Sequence, residues 1–239
     1  MLQKMSQTTP TSQTAEPPKF SIDHYSKILR SALEQGYSCV SVREFIRRGC
    51  PSRNHFISRH DVDMKASSVA LMLEAERELG VPSTVYIRVM GSDYNAFSYP
   101  VFNILREAEK QGAEVGLHTN FLEFALINGL EPFAVLDAEI DALRRFFTIA
   151  GISCHRDINY IHNSLPVLEE NWADWQPKLG LEYQAYDRQA LANTTYINEG
   201  LSPHLGWRKD RPEDIIPTGA SIYLLTHNHW WYRNHPFEA

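Results

Sequence analysis

Over its first two thirds the chain switches repeatedly between two periodicities, and that alternation limits the fold more than any single motif does. Short β-rich segments at residues 37–42, 55–59, 83–90 and 113–118 are separated by segments with helical spacing at 22–35, 42–48, 65–78, 99–111 and 131–149. Tyr25, Ile28, Leu29 and Leu33 form the apolar stripe of the first helix, and Gly36 closes it. On the helix 65–78 the candidate buried positions are Ala66, Val69, Ala70, Leu73 and Ala75, and Gly80-Val81-Pro82 stops it. Phe133, Leu136, Ile140, Leu143 and Phe147 mark one face of the helix 131–149. Strand, helix and strand in this succession predict parallel βαβ units, an α/β fold closed as a barrel or opened as a doubly wound sheet. Further strands are expected at 152–157, 181–185, 194–197 and 221–225, joined by aromatic-rich loops. There is no internal repeat and no glycine-rich phosphate loop after any strand, so one domain over 20–239 is the simplest account. Residues 1–19, rich in Gln, Ser, Thr and Pro, read as a disordered tail.

Composition removes several function classes. A net charge of -6 without a basic block argues against a sequence-independent nucleic-acid surface. Cys39, Cys50 and Cys154 are too scattered for a disulfide framework or a zinc knuckle, and they fit buried thiols in a reducing compartment. No apolar run approaches the length of a membrane span, and the first residues lack the pattern of a secretory signal. The expected location is the cytoplasm.

Chemistry concentrates at the carboxyl ends of the expected strands, where parallel α/β folds form their crevice. The strand 55–59 runs into His60-Asp61-Val62-Asp63, and in an extended segment Asp61 and Asp63 point the same way. Two adjacent carboxylates repel unless a cation or a proton lies between them. Helix capping is the simpler role for Asp63, with a helix starting near Met64 or Lys65, but it leaves Asp61 and His60 unexplained. Three more strand ends deliver ionisable clusters: His118-Thr119-Asn120, His155-Arg156-Asp157 and Thr226-His227-Asn228-His229. Taken singly, His118 is an ordinary core histidine, Arg156 and Asp157 are surface charges, and His227 and His229 pack beside Trp230 and Trp231. Taken together, Asp63, His118 and His155 offer one carboxylate and two imidazoles, a set that suits a divalent, zinc-like ion with one open position. Two histidines four apart around a glutamate, as in helical zinc proteases, are absent, and so is a serine-nucleophile elbow.

RHDVD, a helix, STVYIRV, GLHTN and finally LLTHNHWW, in that order, resemble the polysaccharide deacetylases of the NodB-homology group (carbohydrate esterase family 4). The divergent branch found with bacterial surface-polysaccharide (O-antigen-type) biosynthesis is most similar. The resemblance spans residues 56–231 and implies an irregular (β/α) barrel, usually of seven strands, that removes N- or O-acetyl groups from sugars with a metal ion. It places the general base at Asp61, a metal-binding carboxylate at Asp63, the first metal histidine at His118 and the general acid at His227. The commonest family pattern has a second metal histidine four residues after the first, and here that place holds Leu122. His155 is the candidate third ligand on the strand-end argument, with Asn120, His60 and His229 behind it.

The implied mechanism has Asp61 take a proton from water as it attacks the acetyl carbonyl. The ion, assisted by a backbone N–H or Arg156, stabilises the oxyanion, and His227 protonates the leaving group. Arg59 would keep Asp61 ionised if the strand stays regular. Candidate substrate contacts are Tyr94, Asn95, Asp187, Trp207, Arg208 and Trp230, since aromatic faces stack on sugars and polar neighbours fix hydroxyls. Trp207-Arg208 is the strongest of these, suiting a sugar carboxylate or the phosphate of a nucleotide-sugar. The expected partner is therefore an acetylated sugar, nucleotide-sugar or oligosaccharide. The alternative is a sugar-binding or assembly module on the same fold that has lost catalysis, which Leu122 favours. A glycosidase using Asp61 with Asp63 fits poorly, because carboxylates two apart on a strand do not flank a sugar ring.

Overall fold

The computed structural model describes residues 19–155, 162–199 and 206–233. Residues 1–18 of the expected tail, together with Arg156 and Asp157, lie outside them. Ser21 caps the first helix, α1 (Ile22–Glu34), by accepting from the His24 N–H at 3.1 Å. Strand β1 (Ser38–Val40), helix α2 (Val42–Arg47) and strand β2 (His55–Val62) follow. A 3-10 turn (Ala66–Ser68) leads into α3 (Val69–Leu79), then β3 (Thr84–Ile87) and α4 (Tyr99–Lys110). Next come β4 (Glu114–Thr119), α5 (Phe121–Asn128), α6 (Pro132–Arg144) and β5 (Gly151–Cys154). Helix α7 (Ser164–Leu179), β6 (Tyr183–Gln184), α8 (Arg188–Ala192), β7 (Thr195–Asn198), α9 (Pro212–Ile215) and β8 (Ile222–Thr226) complete the order.

Seven strands run side by side as β6-β5-β4-β3-β2-β8-β7, every pair parallel, and β1 shares an edge of β2 with β3. The sheet curls into a half-barrel, compatible with a (β/α) barrel-like fold. Among the described residues no ladder joins β6 to β7, so the barrel expected from the sequence is open there. Helices cover the outside, and the strands are buried on both faces, as parallel sheets require. No helix among the described residues is long and apolar enough to cross a membrane.

Alternation along β2 sorts its side chains into two environments. Ile57, Arg59 and Asp61 face the inside of the curl, where the Arg59 guanidinium lies 4.4 Å from the centre of the Tyr186 ring and 5.3 Å from that of Tyr86. The interior aromatics need room, and two glycines supply it. A Cβ at Gly116 would strike the Tyr86 ring, and one at Gly151 would overlap Tyr183. Ser58 and His60 face outward and bond with Tyr25 of α1 and Glu76 of α3.

Several boundaries differ from expectation. The helix expected from Lys65 begins later, because Lys65 is left-handed (φ 48°) and only a 3-10 turn follows it. Asp63 is thus no helix cap. On α1 the buried stripe uses Ala32, while Leu33 is 37% exposed. The expected helix 131–149 ends at Arg144, whose guanidinium donates to the Ile149 carbonyl (3.0 Å) and the Gly180 carbonyl (2.9 Å) and so holds the descent into β5. Helices α5 and α7 were not expected. The first is apolar all round and shows no stripe, and the second carries Pro166 and Pro177, which read as breaks but fall in its first and last turns.

Candidate metal centre

The carboxyl ends of four strands converge on one point. Strand β2 stays regular through Asp61, so Asp63, one residue past its end, turns toward the same side. His118 on β4 brings its Nε2 to 3.1 Å from Asp63 Oδ1. His155, one residue past β5, brings its Nε2 to 3.3 Å from the same oxygen. The two imidazoles stand nearly perpendicular, at 86°, with ring centres 5.1 Å apart. Asp63, His118 and His155 form a cluster that could hold a metal ion, their donor atoms all lying within 4.8 Å of one another. Bonds of about 2.0–2.1 Å at tetrahedral angles put ligand atoms roughly 3.3 Å apart, so the observed separations suit a shared cation.

The tautomer points the same way. His118 Nδ1 lies 3.0 Å from the Ser153 carbonyl, which only accepts, so Nδ1 carries the proton. Nε2 is left facing the carboxylate oxygen, the arrangement of a metal-ligating histidine whose other ring nitrogen donates to a carbonyl. Burial pushes the Asp63 carboxyl up, but the bond and charge of His118, then His155 and His227, hold it well below the usual carboxylate range. Replacing His155 with Ala is expected to weaken zinc retention by more than the roughly 10–100-fold lost when a ligand's hydrogen-bond partner is removed. Titration with a competing chelator reads this directly. Unchanged retention would remove His155 from the set.

Asp61 sits behind the cluster, with its Oδ2 3.7 Å from His118 Nε2. Arg59 clamps it in two parallel bonds, Nε to Oδ1 at 2.8 Å and Nη2 to Oδ2 at 2.7 Å, and Ser153 Oγ donates to Oδ2 at 3.1 Å. Burial would raise the Asp61 carboxyl, yet Arg59 and then His118 outweigh it and hold the pKa at about 2. Asp61 is therefore ionised at any neutral pH.

Across from Asp63, 3.8 Å from its Oδ2, stands His227 Nε2, just past β8. Its backbone N–H and Nδ1 are both held by Glu199, at 2.7 and 3.1 Å, and Glu199 also accepts from Trp231 Nε1 at 2.7 Å. Burial alone would lower the imidazole, but Glu199, then Asp63 and Asp61, raise it to about 9, so it is a cation at neutral pH. Glu199 is the first residue after β7 and escaped the sequence reading, although the strand-end rule that found the histidines applies to it equally.

No family model matches the chain, and no curated protein matches it. Its chemistry therefore rests on the residues themselves.

The other sequence candidates lie in varied surroundings. His60 faces away from the cluster, its Nε2 bonded to Glu76 Oε1 at 2.8 Å and its Nδ1 to Thr226 Oγ1 at 2.6 Å. Asn120 bonds with Glu123 and Ser164, and Leu122, in the first turn of α5, packs on the core. His229 is buried against Trp230, ring centres 4.4 Å apart; burial and then His227 lower its pKa to about 4. Tyr94 is a strut, its hydroxyl donating to the Val62 carbonyl at 2.6 Å beneath the end of β2. Asn95 accepts from the Phe97 N–H at 2.9 Å, and Asp187 caps α8 by accepting from the Ala190 N–H at 2.9 Å. Trp207 packs between Phe20 (5.1 Å) and Trp231 (5.9 Å), two steps from His227 through Glu199, while Arg208 beside it is exposed.

Proposed function

We propose that the chain is a metal-dependent hydrolase that removes acetyl groups, as amides or esters, from a sugar or polysaccharide precursor. Asp63, His118 and His155 would hold the ion, and zinc is a divalent ion that one carboxylate and two imidazoles suit. The ion's contribution when bound would be Lewis acidity, polarising an acyl carbonyl and making a water more acidic.

The observation that carries the reading is an anion and a cation set on either side of that cluster. Asp61, kept ionised by Arg59, is placed to accept a proton from attacking water. His227, kept protonated by Glu199, is placed to donate one from Nε2 to the departing nitrogen or oxygen. A carboxylate that is ionised and an imidazole that is protonated at the same pH, in one crevice, are the forms in which a general base and a general acid act. The sugar substrate and the setting in surface-polysaccharide (O-antigen-type) biosynthesis come from the motif resemblance alone.

Elemental analysis of protein purified without chelator is expected to give about one zinc per chain, lost in Asp63→Ala and in His118→Ala. Acetate release should then be found among N- and O-acetylated hexoses. Neither metal binding at micromolar zinc nor acetate release would leave a sugar-binding module and overturn the hydrolase.

His227 also makes a pH prediction for chelator-treated protein. Its folded pKa of about 9 lies above the ordinary 6.5, so its stabilisation is fully present below pH 6.5 and is lost as pH rises through 9. Glu199→Gln should flatten that alkaline loss in urea melts of the chelator-treated protein and, in zinc-loaded protein, bring the alkaline limb of turnover to lower pH.

A further inference from the structure

Helix α5 inverts the arrangement usual for a surface helix. Its one charged side chain, Glu123, is only 5% exposed, whereas Phe124, Leu126 and Ile127 are 37%, 49% and 66% exposed, and Leu130 just beyond it 51%. A helix apolar all round normally lies inside a protein, and a grouped apolar face left outside marks a place where something apolar docks. This face does not end at the surface. Phe124 and Ile127 also line a cavity of about 240 Å³ beyond the ends of β3 and β4. Met90 adds to its apolar lining, while Arg88, Ser92, Asn120, Glu123 and Glu139 make the rest polar. The cavity lies on the helix side of β4: Thr119, next to His118, turns away from the metal cluster and donates from Oγ1 to Glu139 Oε2 at 2.5 Å, and Asn120 at the end of the strand lines the cavity two residues from His118.

We propose that this cavity and the exposed face of α5 together bind an amphiphilic sugar. Its polar head would lie against Arg88, Asn120 and Glu139, and a hydrocarbon chain attached to it would run along Phe124 and Ile127. The proposal rests on the deacetylase reading and narrows its substrate class to sugars carrying a lipid-like chain. The chain belongs to the substrate rather than to a protein partner because the same two side chains line both the polar cavity and the outer face. Burial pushes the Glu139 carboxyl up to about 7, against the pull of Thr119 and Arg88, so it can donate as well as accept toward sugar hydroxyls.

The test compares the methyl and octyl glycosides of N-acetylglucosamine, both below micelle-forming concentration, by calorimetric titration of the full-length protein. The octyl glycoside is expected to bind at least about tenfold tighter. The double change Phe124→Ser with Ile127→Ser should abolish that preference, bringing the ratio of the two affinities to about one. Both positions are partly or largely exposed, and a thermal melt checks that the fold survives. Equal affinities, or a preference that survives the double change, would overturn the proposal. So would sedimentation showing that the double change merely splits a dimer. Running the titration on Asp63→Ala separates the two readings. An octyl preference without acetate release in the parent protein keeps the groove and discards the deacetylase. Acetate release with equal kcat/KM for both glycosides does the reverse.

Discussion

Changing Asp61 to Asn is expected to lower turnover by about 10²–10⁴-fold, the range general base catalysis supplies, while zinc binding stays near one equivalent. The amide keeps the shape and can still accept from Arg59, but it cannot take a proton from water. Asp63, His118 and His155 are untouched, so metal retention should persist. Stability will also fall, since Arg59 and Asp61 are 0% and 2% exposed and the change strands the guanidinium. Removing one partner of such a pair costs about 3–5 kcal/mol. Pairing Asp61→Asn with Arg59→Met should recover much of that stability and none of the turnover, which separates the chemical role from the structural one. Turnover within tenfold of the parent in folded Asp61→Asn protein would remove Asp61 from the mechanism.

The same pair shows why this site was readable in sequence. β2 is regular across Arg59, His60 and Asp61, so period-two alternation put Arg59 and Asp61 on one face and His60 on the other, and parallel strands gather their ends. That reasoning reached Asp63, His118, His155 and His227 because each lies on or within a residue of a strand end. It reaches nothing outside that pattern. Glu76 sits mid-helix, and only the packing of α3 on the back of β2 reveals that it meets His60. The substrate-contact candidates follow no such pattern. Tyr, Trp and Asp serve structure as readily as sugars, and Tyr94 and Asp187 are occupied as a strut and a cap. Apolar periodicity likewise found the helices with a stripe and missed α5, which has none.

Glu76→Ala should be the most destabilising single change on the outer face of the sheet, at about 3–5 kcal/mol by urea unfolding. The carboxylate is 2% exposed and holds four partners. Oε1 takes Tyr25 (2.5 Å), Ser58 (2.9 Å) and His60 (2.8 Å), and Oε2 takes Ser83 (2.6 Å). Alanine leaves His60 and Ser83 short of this partner and Tyr25 and Ser58 with one acceptor between them, and it removes the only carboxylate bonded to His60 among the described residues. Glu76→Gln keeps the volume and one accepting oxygen, so it should lose less. Burial would push the Glu76 carboxyl up, but His60 and the hydroxyls outweigh it, leaving the pKa below its ordinary 4.5. Its stabilisation is therefore present above about pH 4.5 and lost as pH falls below that, and the acid limb of unfolding should flatten in Glu76→Gln. His60 also bonds Thr226, the residue before His227, so loosening the network should lower turnover as well as stability. If Glu76→Ala melted within 1 kcal/mol of the parent, roughly one ordinary hydrogen bond, the outer network would hold no special place in the fold.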